Sequence, residues 1–170
     1  GFGAAPGERA ALALGAGLAL VFSGLGLVAS FFHLGHPERA WRAAAMWRTS
    51  WLSREVIALP VFMAALAAWG AAQWLALPGT RVLGAIAALA CLALFVCTGM
   101  VYASIRFLQE WASPLTLVNY LLIGCASGTT LAALLASLRA PRLAPALAMA
   151  ALLLTLAALI GRGASLLRNA

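Results

Sequence analysis

Residues 10–34 read AALALGAGLALVFSGLGLVASFFHL, apolar or small throughout except for Ser23, Ser30 and His33. A helix needs about 20 such residues to cross the hydrocarbon core of a bilayer, and no water-soluble helix keeps a stretch this long free of charge. The run therefore reads as a membrane span. Four more follow outward from it, at 55–77, 82–108, 117–138 and 145–161, with Pro60 in the first turns of the second, where a proline is tolerated. Pro78-Gly79, Ser113-Pro114 and Pro141 punctuate the runs as short turns.

The whole chain agrees with its first span. Of 170 residues, 65% are apolar and 9% charged, and the mean hydropathy is +1.01. Soluble domains hold about 45–50% apolar and about 25% charged residues. The charged side chains are eleven arginines and four glutamates, giving a net charge of +7. Such a balance invites a nucleic-acid reading, but a basic stripe needs a polar surface to sit on, and these arginines punctuate apolar runs. The expected fold is an all-α integral membrane protein, one transmembrane anchor domain with about five helices in this chain. The start at Gly1, with no cleavable signal pattern after it, reads as a portion of a longer protein.

Alternating crossings put residues 1–9, 78–81 and 139–144 on one side. The long loop 35–54, the turn 109–116 and the tail from Arg162 fall on the other. The second side carries seven of the eleven arginines, and by the positive-inside rule alone it would be cytoplasmic.

The polar residues gather at that second side. His33 and His36 close the first span, Glu55 opens the second, Tyr102 and Arg106 end the third, Asn119 and Tyr120 begin the fourth, and Arg162 ends the fifth. An ionisable residue costs roughly 2.5–3.5 kcal/mol near the bilayer centre and less near its surface, so a cluster of them points to function. Snorkelling to water and helix capping are the plainer readings for Arg106, Arg162, Tyr102 and Asn119.

The densest stretch is SFFHLGHPERAWRAAAMWRTSWLSRE, residues 30–55. Its tryptophans and arginines suit a membrane surface, where indole rings sit at headgroup level and guanidinium groups pair with phosphate or stack on rings. Ser53 fits as N-cap of the second span, which places Glu55 in the first turn, where the helix dipole favours a carboxylate. Capping does not explain why His33 and Glu55 close and open consecutive antiparallel spans at one depth. A histidine and a half-buried glutamate so placed form an acid–base pair able to trade protons with a bound molecule. A quinol that gives up two electrons also loses two protons, and Phe31, Phe32, Trp47 and Trp51 offer a flat apolar wall for its ring.

Other redox centres are poorly supplied. A bis-histidine haem needs ligands from facing helical positions, whereas His33 and His36 lie three residues apart beside Gly35 and Pro37. Cys91, Cys97 and Cys125 lie in apolar runs and form no C-x-x-C pair, so neither an iron–sulfur cluster nor a metal site is expected in this chain. Gly124 and Gly128 form a G-x-x-x-G that permits close helix contact.

The run His33-Leu34-Gly35-His36-Pro37-Glu38-Arg39-Ala40-Trp41-Arg42, followed by Trp47-Arg48-Thr49-Ser50-Trp51-Leu52-Ser53-Arg54-Glu55, resembles the membrane anchor subunits of dimethyl sulfoxide reductase-type molybdoenzymes. So does Thr98-Gly99-Met100-Val101-Tyr102-Ala103-Ser104, continuing to Trp111-x-x-Pro114-Leu115. The two blocks cover the chain from its first span into its fourth. The resemblance implies an eight-helix bundle of the bacterial inner membrane, of which this chain is a part. It implies quinol (menaquinol or ubiquinol) as the bound molecule, without haem or iron–sulfur cluster in this chain. Electrons would pass to an iron–sulfur subunit and on to a molybdopterin catalytic subunit, in anaerobic respiration. It assigns the quinol site to His33 and Glu55 as the catalytic pair, and Trp51, Arg54, Tyr102 and Arg106 complete the candidate quinol-binding set. Such complexes often carry their catalytic subunits outside the cytoplasm, which would turn the arginine-rich side to the periplasm. Arg39, Arg42 and Arg48 then read as docking residues for the iron–sulfur partner, or as partners of lipid headgroups. Two rivals stand beside this reading: a small transporter, which needs ionisable groups in mid-span that the third and fifth spans lack, and a purely structural anchor.

Overall fold

The computed structural model describes residues 6–32 and 36–169. It contains five long helices, α1 (Pro6–Phe31), α2 (Trp51–Trp74), α3 (Thr80–Ala103), α4 (Pro114–Arg139) and α5 (Ala144–Asn169), with a 3-10 helix at Pro37–Ala44 and no strand among the described residues. Each long helix has 24 or 26 residues and is apolar enough to cross a membrane. At about 1.5 Å per residue, that length exceeds a core of about 30 Å and leaves a turn for the interface.

The helix ends depart from the sequence expectation in informative ways. Helix α2 starts at Trp51, because Ser50, not Ser53, is its N-cap: Ser50 is extended (φ −108°, ψ 126°) and its hydroxyl accepts from the Ser53 N–H. Ser53 is buried instead. Glu55 therefore stands in the second turn, and Pro60 in the helix interior, where it takes one N–H from the ladder without ending the helix. Helix α3 stops at Ala103, short of the expected Leu108; Ser104 bonds back to the Val101 carbonyl and the chain continues as short turns. Arg106 thus lies in a connection and not in a span. Helix α5 runs on past Gly161 to Asn169, so Arg162 sits two turns inside it. In both cases hydropathy marks where the apolar stretch ends, whereas the backbone ladder stops where its bonds can no longer continue.

The chain divides into two compact units, Gly1–Cys97 and Thr98–Ala170. In the first, α1 and α2 pack antiparallel: a methyl group on Gly70 would stand 2.8 Å from the Ala16 Cβ, and Pro6 and Ala10 share a cleft with Gln73 and Trp74. The start of α3 passes against the Trp69 ring at Gly84. The turn from α2 to α3 needs left-handed backbone at Ala76 (φ 53°) and Gly79 (φ 79°), the second where Pro-Gly predicts it. In the second unit, α4 and α5 form an antiparallel hairpin, and the last turn of α3 rests on Leu117 and Tyr120.

Apart from Leu66, every apolar side chain buried among the described residues is an alanine. Ala11, Ala16 and Ala72 line the first helix pair, and Ala126, Ala136, Ala151 and Ala158 belong to the second. Phe22, Leu25 and Val28 of α1 and Leu153, Leu159 and Ile160 of α5 point outward. Small residues at the seam and large apolar ones outside are the pattern of helices packed in lipid, where closeness and not hydrophobic exclusion holds them together. Gly128 of the Gly124/Gly128 motif makes no close approach: a methyl group there would meet nothing within 4 Å.

Candidate functional site

In the first unit the polar stretch between α1 and α2 is organised by tryptophan–arginine stacks. The Arg42 guanidinium lies 5.5 Å from the Trp41 ring centre, that of Arg48 5.3 Å from Trp47, and that of Arg54 4.2 Å from Trp51. Trp41 is 71% exposed and Trp47 is also exposed, so these stacks present flat apolar and cationic surface outward. His36 Nδ1 stands 3.1 Å from Glu38 Oε1, and Arg39 Nε 3.8 Å from the same oxygen, an exposed charge cluster of little energetic consequence.

Arg54 does more than stack. Its Nε donates to the Trp47 carbonyl and its Nη2 to the Arg48 carbonyl, both at 2.9 Å. One guanidinium fork thus closes the loop onto the start of α2, a geometry that lysine lacks. Glu55 follows, half-buried, and Cys97 of α3 lies near enough to Arg54 and Glu55 to sense both charges. Trp51, Arg54 and Glu55 of the expected quinol set are therefore gathered at one end of α2. His33, the other half of the pair, lies outside the described residues.

The second unit holds a cleft of about 490 Å³. Its wall is aromatic: Tyr102 meets Trp111 edge to face (ring centres 5.3 Å, planes at 83°) and stacks on Tyr120 (5.7 Å, 21°). The turn carrying Trp111 is pinned from three directions. Ser113 caps α4 by accepting from the Leu115 N–H, the Thr116 hydroxyl donates to the Trp111 carbonyl at 2.7 Å, and Arg168 of α5 donates to the Gln109 carbonyl at 3.2 Å. Beneath the rings, Asn119 is 7% exposed and its amide donates to the Ser165 hydroxyl at 2.7 Å. Its Oδ1 is buried with no hydrogen-bond partner, and it presses against Gly161, where a methyl group would come within 2.6 Å. Glu110 and Arg162 also line the cleft.

Of the expected residues, Tyr102 belongs to this cleft, while Arg106 is exposed in the turn before it. Arg39, Arg42 and Arg48 lie exposed in the loop before α2. Sequence reading missed Glu110, Ser165 and the cleft position of Arg162. The available signal was the polar spacing of Arg162 and Ser165 along the end of α5, hidden because hydropathy placed that end outside the span. Among the described residues no three histidine, cysteine or acidic side chains come together as a metal site would require.

The sequence profile described as "DMSO reductase anchor subunit (DmsC)" matches residues 3–170. The chain is 51% identical over 171 residues to a protein of Allochromatium vinosum that is named as a sulfite dehydrogenase subunit. The match covers 93% of this chain and 53% of that protein, so the chain spans about half the length of the relative. No solved structure matches it.

Proposed function

This chain belongs to the DMSO reductase anchor subunit (DmsC) family, and on that premise we propose that it anchors a molybdoenzyme complex in the bacterial inner membrane and exchanges electrons with quinol. The observation that carries the proposal is Glu55, a half-buried carboxylate in the second turn of a membrane helix, next to the Arg54 clamp. Glu55 and His33 take the two hydroxyl protons as quinol becomes quinone. The two electrons leave for an iron–sulfur subunit, and through it for a molybdopterin catalytic subunit. Trp51 offers a ring face to the quinol, and Arg54 stacks on Trp51 while its two carbonyl bonds tie the loop at Trp47 and Arg48 to the start of α2. The exposed Arg39, Arg42 and Arg48 are the chain's docking residues for the iron–sulfur partner.

Glu55→Gln keeps the size and most hydrogen bonding of the side chain but cannot accept a proton. In the purified complex it should lower quinol-driven reduction of the partner by roughly 10²–10⁴-fold, the usual worth of a general base, with assembly intact. Normal turnover in both Glu55→Gln and His33→Ala would sink the assignment.

One observation favours a second direction. The relative is named for a sulfite dehydrogenase, an activity that releases electrons. In that reading Glu55 and His33 give protons to quinone instead of taking them from quinol. Sulfite-dependent quinone reduction, measured against quinol-dependent reduction of the partner in the same vesicles, separates the two.

A further inference from the structure

The cleft of the second unit does not end at its polar mouth. Arg162 and Ile123 line both it and an adjoining groove of about 650 Å³ that follows α4 and α5 to Leu134 and Thr155. The two threonines in that groove turn their hydroxyls to their own helices, Thr130 to the Ala126 carbonyl at 2.8 Å and Thr155 to the Ala151 carbonyl at 2.7 Å. Their methyl groups are left to join Leu131, Leu134 and Leu159, and the groove is mostly apolar, with Ser127 the third hydroxyl on its wall and Arg162 its one charged side chain. From Ile123 to Leu134 it extends for about 17 Å at 1.5 Å per residue, the length of a fatty acyl chain.

The mouth is charged in a specific way. It carries one acid, Glu110, and one base, Arg162, both exposed and not paired with each other among the described residues. Beside them stand the faces of Trp111 and Tyr120. A guanidinium binds phosphate through paired N–H donors. A carboxylate with aromatic faces binds an ammonium group. We propose that the cleft and groove together bind one zwitterionic glycerophospholipid, with its phosphate on Arg162, its ammonium group between Glu110 and the rings, and one acyl chain along α4 and α5. Phosphatidylglycerol lacks the ammonium and brings a net negative charge against Glu110. A quinone ring has no charge for either group. The proposal uses neither Glu55 nor His33, so failure of the quinol reading leaves it standing.

The test uses the whole complex, stripped of lipid in detergent and incubated with equal amounts of dioleoyl phosphatidylethanolamine and dioleoyl phosphatidylglycerol. Retained lipid is then counted by mass spectrometry. The wild type retains about one phosphatidylethanolamine per anchor chain in preference to phosphatidylglycerol. Glu110→Gln loses that preference by roughly tenfold, equivalent to about 1.4 kcal/mol, and Arg162→Gln loses retention of both lipids. Both side chains are exposed, co-purification of the partner subunits reports folding, and Glu110→Gln alone decides if the arginine variant fails to assemble. Equal retention of the two lipids by the wild type overturns the proposal. So does unchanged preference in Glu110→Gln, unchanged retention in a folded Arg162→Gln, or displacement of the retained lipid by a quinone analogue, which would make the cleft a quinone site.

Discussion

At the scale of single residues, the tightest point in the second unit is Gly161. The Asn119 oxygen occupies the space that any side chain at 161 would need, and the Asn119 amide is held in place by Ser165. Gly161→Ala forces one of the two to move and should destabilise the α4–α5 hairpin by about 1–3 kcal/mol, the usual cost of overpacking. Thermal unfolding of the complex in detergent measures it. Pairing the change with Asn119→Ala should recover part of the loss, because the clash then disappears; strictly additive effects would show that the two residues are not in contact. Neither half of this pair was legible on its own. An asparagine early in a span reads as an interfacial residue, and a glycine in an Ala-rich run reads as background. Glu55 stood out in the sequence, because a carboxylate beside a long apolar run has few reasons to be there.

At the scale of elements, the loop before α2 depends on one side chain. Arg54 reaches back to two carbonyls and stacks on Trp51, so the loop and the first turn of the helix form one piece. Lysine keeps the charge but offers no fork and no planar face. Arg54→Lys should therefore cost the loop about 1–2 kcal/mol of local stability. Hydrogen exchange should quicken at the amides around 46–50 while the middle of α2 stays protected; unchanged exchange there would remove the clamp. Composition announced that arginines and tryptophans would meet here, and the stacks at Trp41, Trp47 and Trp51 are that meeting. It did not announce the clamp, since Arg54 reaches across six and seven residues of loop whose path no periodicity encodes. The same limit explains the helix ends. Ser50 and Ser53 are equal candidates for a cap by residue type, and only the extended backbone at Ser50 chooses between them.

At the scale of the whole molecule, five crossings fix which connections share a side of the membrane. Cysteines introduced at Gly79 and Arg142, in a chain with Cys91, Cys97 and Cys125 replaced, should react with an impermeant maleimide from one side, and those at Arg42 and Gln109 from the opposite side. A mixed pattern would mean that one of the five helices does not cross. This much the sequence determined by itself: a membrane protein of five helices, turns at Pro-Gly and Ser-Pro, and a polar stretch ahead of Glu55. Hydropathy is a sum over neighbouring residues, and the cost of leaving backbone groups unpaired in lipid lets such a sum dictate a helix. Tertiary structure alone decided which side chains meet, Asn119 with Ser165 and Gly161 and Tyr102 with Trp111 and Tyr120, and that Glu110 and Arg162 line one cleft. Those meetings depend on how each helix is rotated and how near its neighbour comes. Both are set by alanines and glycines whose effect is felt only when a second helix is there to pack against them.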